Sequence, residues 1–217
     1  MAEYPNWFAA TAQANFETYL AEFKDKPNLK FLQLGVFTGD ATVWLCNNIL
    51  TDKSSKLIDV DTWEGSDEES HAEMDFSDVY QVYQEKVKDL PVVSVVSDTH
   101  KYLIRQLDNF ISAFDFIYID AGHTTVGVLL DAELSWPLLK SGGVMAFDDY
   151  TWGRDLPPSK TPRPGILLFT ERHKEEIDTL VINSRSKSNS SSLYICRAAI
   201  SLSMPNSCCL LVISARN

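Results

Sequence analysis

Five short apolar runs alternate with helical-period segments along this chain, and each run stops at or shortly before an aspartate. The runs are Leu29–Leu34, Lys56–Val60, Val92–Val96, Phe114–Ile119 and Val144–Phe147; the acids that follow are Asp40, Asp61, Asp98, Asp120 and the pair Asp148–Asp149. Short runs rich in β-branched and aromatic residues read as buried strands. The segments between them read as helices: Ala41–Leu50 with Asp40 as N-cap, Val79–Leu90, His100–Asn109 and Thr124–Leu139. A leading helix over Asn6–Lys24 precedes them, and Ile166–Glu176 forms a further helix after a proline-rich loop, Leu156–Gly165. Thr179–Asn183 and Leu193–Cys196 are expected as two last strands around a serine-rich turn. This alternation implies an α/β fold, a doubly wound, Rossmann-like, mostly parallel sheet covered by helices on both faces. Such sheets bind ligands beyond the carboxyl ends of their strands, where strand order reverses. The acids at the strand ends are therefore the first candidates for function.

At 217 residues the chain suits one large domain, and 45% hydrophobic with 23% charged residues is ordinary globular composition. No apolar run approaches the roughly 18 residues of a membrane span. Met1-Ala-Glu-Tyr-Pro lacks the basic and apolar regions of a secretory signal. Cys46, Cys196, Cys208 and Cys209 have no metal or disulfide-framework spacing, so reduced thiols in a cytoplasmic protein are expected. The net charge of -11 is concentrated before Gly153, with 25 acidic against 10 basic residues. Such a surface repels phosphate backbones and disfavours nucleic acid as a partner.

The first strand runs into F-L-Q-L-G-V-F-T-G-D, Phe31 to Asp40. Glycine lets backbone amides approach a ligand, and the following helix offers its positive end. Only Gly35 and Gly39 are present, so the three-glycine dinucleotide pattern is missing and a nicotinamide dehydrogenase is disfavoured. Asp61 follows Gly35 by 26 residues, close to the separation at which an acid accepts from ribose hydroxyls. Four strings then occur in order: Leu32-Gln-Leu-Gly-Val-Phe-Thr-Gly-Asp-Ala-Thr-Val-Trp-Leu, Ile58-Asp-Val-Asp-Thr-Trp-Glu-Gly, Phe114-Asp-Phe-Ile-Tyr-Ile-Asp-Ala-Gly-His, and Leu134-Ser-Trp-Pro-Leu-Leu-Lys-Ser-Gly-Gly-Val-Met-Ala-Phe-Asp-Asp-Tyr-Thr-Trp. Together they resemble the class I S-adenosylmethionine-dependent methyltransferases, in particular methyltransferase domain family 24, which is macrocin and catechol O-methyltransferase-like.

The resemblance runs from about Asn6 to Arg197. It implies a single domain over residues 1–197, with residues 1–28 holding the leading helix, and a seven-stranded sheet whose last strand is reversed. It places the cofactor's methionine part over the turn Gly35–Phe37–Gly39 and its ribose on Asp61. Trp63 would lie against the adenine, or be a core aromatic instead, and Asp98 would face the adenine amino group, helped by Ser97 or Thr99. The family usually has Glu where this chain has Gln33; Gln keeps an acceptor, adds a donor and loses charge attraction to an ammonium. Residues 198–217 match nothing in the family, and an extra strand, a homodimer contact or an unselected extension are all open to them.

Methyl transfer to a hydroxyl needs that hydroxyl deprotonated and aligned with the methyl–sulfur bond. Asp120, Asp148 and Asp149 end neighbouring strands, so their carboxylates can converge on a cation; oxygen-only ligands suit Mg²⁺. Similar acids carry the metal in catechol-type and macrolide-sugar O-methyltransferases. The competing view has Asp148–Asp149 capping the sheet edge. His123, three residues after Asp120, is a candidate base, or a residue that orients a ligand. His71, His100 and His173 lie outside the strand-end set and are expected on the surface. The loop Pro157–Gly165, with Tyr150 and Trp152, is expected to wall an acceptor pocket, and acidic Glu64–Glu73 to be a lid or a solvated loop. The expected activity is O-methylation of a small-molecule hydroxyl, such as a sugar or glycan precursor. A metal-dependent hydroxylase of the cephalosporin-hydroxylase kind, or a degenerate domain with Gln33 as the sign of lost cofactor affinity, are the rivals.

Overall fold

The computed structural model describes residues 4–65, 76, 78–183, 193–198 and 210–214. Strands β1 (Lys30–Leu34), β2 (Lys56–Asp61), β3 (Val92–Val96), β4 (Phe114–Ile119), β5 (Leu139–Phe147), β6 (Ile177–Asn183), β7 (Leu193–Ala198) and β8 (Leu210–Ser214) form one sheet in the order β3-β2-β1-β4-β5-β7-β6-β8. The neighbours among β1 to β5 run parallel. β7 lies antiparallel between β5 and β6, the reversed last strand of a seven-stranded mixed sheet. β8, from the unmatched tail, adds an eighth strand beside β6, in line with one of the three roles open to that segment. Strand order reverses between β1 and β4, so the crevice opens above their carboxyl ends.

Alternation sorts the strand side chains into two cores. Leu32, Leu34, Ile117 and Ile119 pack under α5 (Thr99–Gln106), α6 (Thr125–Ser135) and α7 (Arg163–Arg172). Phe31, Leu57, Phe116 and Tyr118 pack on the other face under α1 (Trp7–Thr11), α2 (Gln13–Tyr19) and α3 (Asp40–Asn48). α4 (Val79–Val87) covers the cofactor turn's side of the sheet with Tyr83. None of these helices is long and apolar enough to cross a membrane.

Several boundaries differ from expectation for identifiable reasons. The leading helix breaks at Ala12 into α1 and α2, which lets α1 lean over the crevice. Gly39, at φ +79°, takes the N-cap place of α3 and leaves Asp40 as its first residue, where the carboxylate still complements the helix N-terminus and pairs with Lys86 at 2.7 Å. α6 stops at Ser135 because Pro137 has no N–H to give, and the chain tightens into a 3₁₀ turn, Trp136–Leu138. α7 starts three residues early, with Pro164 in its first turn. His173 is not a surface residue: its ring packs on Trp136 and Phe169 and sits between Glu133 and Glu176 at 3.0 and 3.2 Å.

One carboxylate lies entirely inside the sheet–helix interface. Asp59 of β2 is fully buried, with Oδ2 accepting from the hydroxyls of Thr42 (2.8 Å) and Tyr83 (2.9 Å). Burial pushes its pKa up to about 7 against the pull of those two hydrogen bonds. The folded value lies above the unfolded one, so the stability linked to this group is complete below about pH 4 and is lost as pH rises through about 7. Asp59→Asn should therefore stabilise the protein at about pH 8, by up to about 4 kcal/mol, and change little near pH 4. Denaturant unfolding of both proteins across that range checks the sign and the window.

Candidate active site

The crevice is a cavity of about 570 Å³ running from the end of β2 across β1 and β4 to the end of β5. One side of it is built by the turn that follows β1. Gly35 (φ +82°) brings that turn against β4 so closely that a Cβ there would lie 1.9 Å from the Asp120 carbonyl oxygen. The next two amides, of Val36 and Phe37, donate to Oδ2 of Asp61 at 2.6 and 3.0 Å, while Trp63 donates its amide to Oδ1 at 2.8 Å. One carboxylate thus shapes the turn and remains on the cavity wall. The Trp63 indole donates to the Phe37 carbonyl at 2.9 Å and packs on Tyr80 and Tyr83, so it is both a core aromatic and part of the wall.

Ser97 and Asp98 line the same side. Asp98 also caps α5, accepting from the Lys101 amide at 2.9 Å. Gln33 and Gly39 stand elsewhere: neither is among the lining residues. Gln33 is buried behind the turn, its amide group donating to the Gly35 carbonyl at 3.0 Å, and Gly39 abuts Tyr83 at the start of α3.

The other side carries the acids. Donor atoms of Asp120, His123 and Asp149 lie within 4.8 Å of one another. His123 Nε2 is 2.8 Å from Oδ2 of Asp149, and its ring faces Trp152 with centroids 4.9 Å apart. This grouping differs from the expected triad of Asp120, Asp148 and Asp149 at one position. Asp148 borders the cavity but turns its oxygens to the Tyr118 hydroxyl (2.5 Å) and the Asp149 amide (2.8 Å), and His123 stands in its place. A left-handed backbone at Asp149 (φ +57°) swings that side chain away from the line of β5 and toward His123. Burial, with Asp148 and Asp149 close by, pushes the Asp120 carboxyl well above its ordinary range, against the opposing pull of His123. Burial and the Asp149 charge raise Asp148 to about 6. Crowded acids of this kind suit a cation. Two carboxylates and an imidazole form a donor set for a divalent metal, broader in its metal choice than oxygen ligands alone.

Two wall elements escape prediction from sequence. Trp7, Phe8, Ala10 and Thr11 of α1 close the cavity, and Trp7 stacks on Phe37 at 4.7 Å. His100, expected on the surface, lines the cavity with Nε2 3.3 Å from the buried Asp131 of α6. A helix side chain and a residue two positions past Asp98 give no local signal of this. Conversely, the loop Pro157–Gly165 does not reach the cavity, and Tyr150 is buried beneath Arg163, so Trp152 alone of that group forms wall. Of the acidic Glu64–Glu73 segment, residues 66–73, His71 among them, lie outside the described residues, as do Cys208 and Cys209; Gly65 at its start and Phe76 beyond it line the cavity.

Residues 32–150 match the family described as a methyltransferase domain. No curated protein sequence matches the chain. Among solved structures, a Clostridium thermocellum protein provisionally assigned as an rRNA methylase superposes with a TM-score of 0.64 at 12% identity, covering 87% of this chain and 96% of that one. The O-methyltransferase from Bacillus cereus, in complex with SAH, superposes with a TM-score of 0.56 at 16% identity, over 91% and 93% of the two chains. MycE, a methyltransferase of the mycinamycin biosynthetic pathway in complex with Mg and SAH, gives a TM-score of 0.58 at 14% identity, over 95% of this chain and 54% of that one. At these identities the likeness is one of fold.

Proposed function

Because the chain belongs to the methyltransferase domain family, and so to the class I S-adenosylmethionine-dependent methyltransferases, we propose that it methylates a hydroxyl of a small molecule, such as a sugar or glycan precursor. The observation that carries this is a single cavity with the Asp61-held turn on one side and Asp120, His123 and Asp149 on the other. S-adenosylmethionine, when bound, supplies a methyl group made electrophilic by its sulfonium. The residues of this chain bind, orient and move a proton. Asp61 accepts three amides and keeps acceptor capacity on Oδ1 for a ribose hydroxyl. Asp98 and Trp63 hold the adenine end, and Gly35 admits the turn's close approach to Asp120.

At the other side His123 takes the acceptor's hydroxyl proton. The Asp149 carboxylate, with Oδ2 2.8 Å from Nε2, offsets the charge that forms on the ring. The indoles of Trp7 and Trp152 exclude water from the reacting atoms. In a metal-assisted form of the reaction, Asp120, His123 and Asp149 would instead hold a divalent cation such as Mg²⁺, which would acidify and orient the acceptor hydroxyl, with His123 as a ligand in place of a base. The imidazole in that donor set suits iron as well, so a metal-dependent hydroxylase is the second reading. The acidic body of the chain argues for a small acceptor over nucleic acid.

The test is release of S-adenosylhomocysteine from S-adenosylmethionine with a panel of hydroxylated sugars, with Mg²⁺ and after chelation. Acceptor-dependent release that falls on chelation is the expected result. Absence of release from any acceptor, together with iron retained through purification, would favour the hydroxylase.

A further inference from the structure

Gln33 and Asp59 are directly opposite one another in the β1–β2 pairing, and both side chains are buried on the α3 face of the sheet. The Thr42 hydroxyl stands between them: it donates to Oδ2 of Asp59 at 2.8 Å and lies 3.4 Å from Oε1 of Gln33. Beyond Asp59, the Tyr83 hydroxyl links on to Ser94 at 2.7 Å. On the other side, Nε2 of Gln33 donates to the Gly35 carbonyl at 3.0 Å. A continuous buried chain of polar groups therefore runs from Asp59 to the first residue of the cofactor turn. The second carboxylate oxygen of Asp59, Oδ1, is buried with no hydrogen-bond partner among the described residues, so the network already contains one under-satisfied acid.

Residue 33 thus has two demands on it. It must give a proton to a backbone carbonyl, and it must stand beside a buried carboxylate without adding charge. An amide meets both, whereas an ionised carboxylate has no proton to donate and repels its neighbour. The Gly35 carbonyl matters because the turn has almost no slack: it meets the Asp120 backbone on one side and hands its next two amides to Asp61 on the other.

We infer that Gln33 is a positioning residue for the cofactor turn, and that Asp59 across the strand pair makes an amide obligatory at position 33. The inference rests on the turn being the S-adenosylmethionine site. It reverses the expectation that Glu at position 33 would strengthen cofactor binding: in this chain the buried acid sits one strand over, and Gln33 is a matched part of the site.

A double-mutant cycle tests it. Wild type, Gln33→Glu, Asp59→Asn and Gln33→Glu/Asp59→Asn are titrated with S-adenosylmethionine by calorimetry at about pH 8, and their unfolding midpoints recorded. Gln33→Glu is expected to weaken binding about tenfold or more and to lower the midpoint, and the double variant to recover about threefold of that loss, because the repulsion is relieved while the proton for the Gly35 carbonyl is still missing. Where Gln33→Glu does not fold, the reference is Asp59→Asn: a double variant with an unfolding midpoint close to that of Asp59→Asn supports the coupling, and one that also fails to fold overturns it. Binding by Gln33→Glu as tight as wild type, or a double variant no better than Gln33→Glu, overturns it. If wild type itself binds no cofactor, the methyltransferase reading fails, while the midpoints still decide the coupling between the two positions.

Discussion

Replacing Asp61 by alanine should lower S-adenosylmethionine affinity by about a hundredfold or more, the largest effect expected of any single change on the cofactor side. The carboxylate has two tasks that fail together. It accepts the amides of Val36, Phe37 and Trp63, and alanine would leave all three to find other partners. It is also the acid placed on the cavity wall to receive a ribose hydroxyl. Hydrogen bonds to a charged group contribute about 1.5–3 kcal/mol each, so loss of two such functions accounts for the magnitude. Asp61→Asn separates the tasks. One oxygen remains to hold an amide, the charge is gone, and an intermediate loss is expected. Calorimetric titration of the three proteins, with unfolding midpoints alongside, reads both effects.

His123→Ala should reduce turnover by about a hundredfold to ten-thousandfold while leaving S-adenosylmethionine affinity close to wild type. In the proposed reaction the imidazole is the base, and it lies against Asp149 and Trp152, neither of them on the β1 turn. Loss of a positioned base is felt in the reacting step, so the effect belongs in kcat. Asp149→Asn should follow the same pattern more weakly, because the ring keeps a neutral partner but loses the charge that stabilises its protonated form. Single-turnover kinetics at saturating cofactor, paired with a binding titration, distinguishes the two outcomes. A parallel loss of cofactor affinity in His123→Ala would move that residue out of the reacting step and into binding.

Strand–helix alternation carried the fold because parallel strands buried on both faces must be mostly apolar, as Phe114–Ile119 is apart from Asp115. The strand-end acids were legible for the same reason: a carboxylate on an otherwise apolar strand end has to face the crevice. What stayed hidden depended on rotation of single side chains or on contacts distant in sequence. Asp148 and Asp149 are adjacent and chemically equal, and only the left-handed φ at Asp149 decides which one faces His123. Asp131 and His100 meet through the packing of α5 on α6, and Trp7 reaches Phe37 only because the leading helix breaks at Ala12. Gln33 is the instructive case. Its sequence position places it in the cofactor motif, yet its side chain works from beneath the turn, where its partner across the strands explains it better than its neighbours in the chain.

The most direct test of the account is a calorimetric titration of the purified wild-type protein with S-adenosylmethionine. One site per chain with a dissociation constant of about micromolar order is predicted, of order −8 kcal/mol, with S-adenosylhomocysteine competing for it. No heat of binding at millimolar cofactor from folded protein would contradict the assignment of the Gly35–Gly39 turn and Asp61 as a cofactor site.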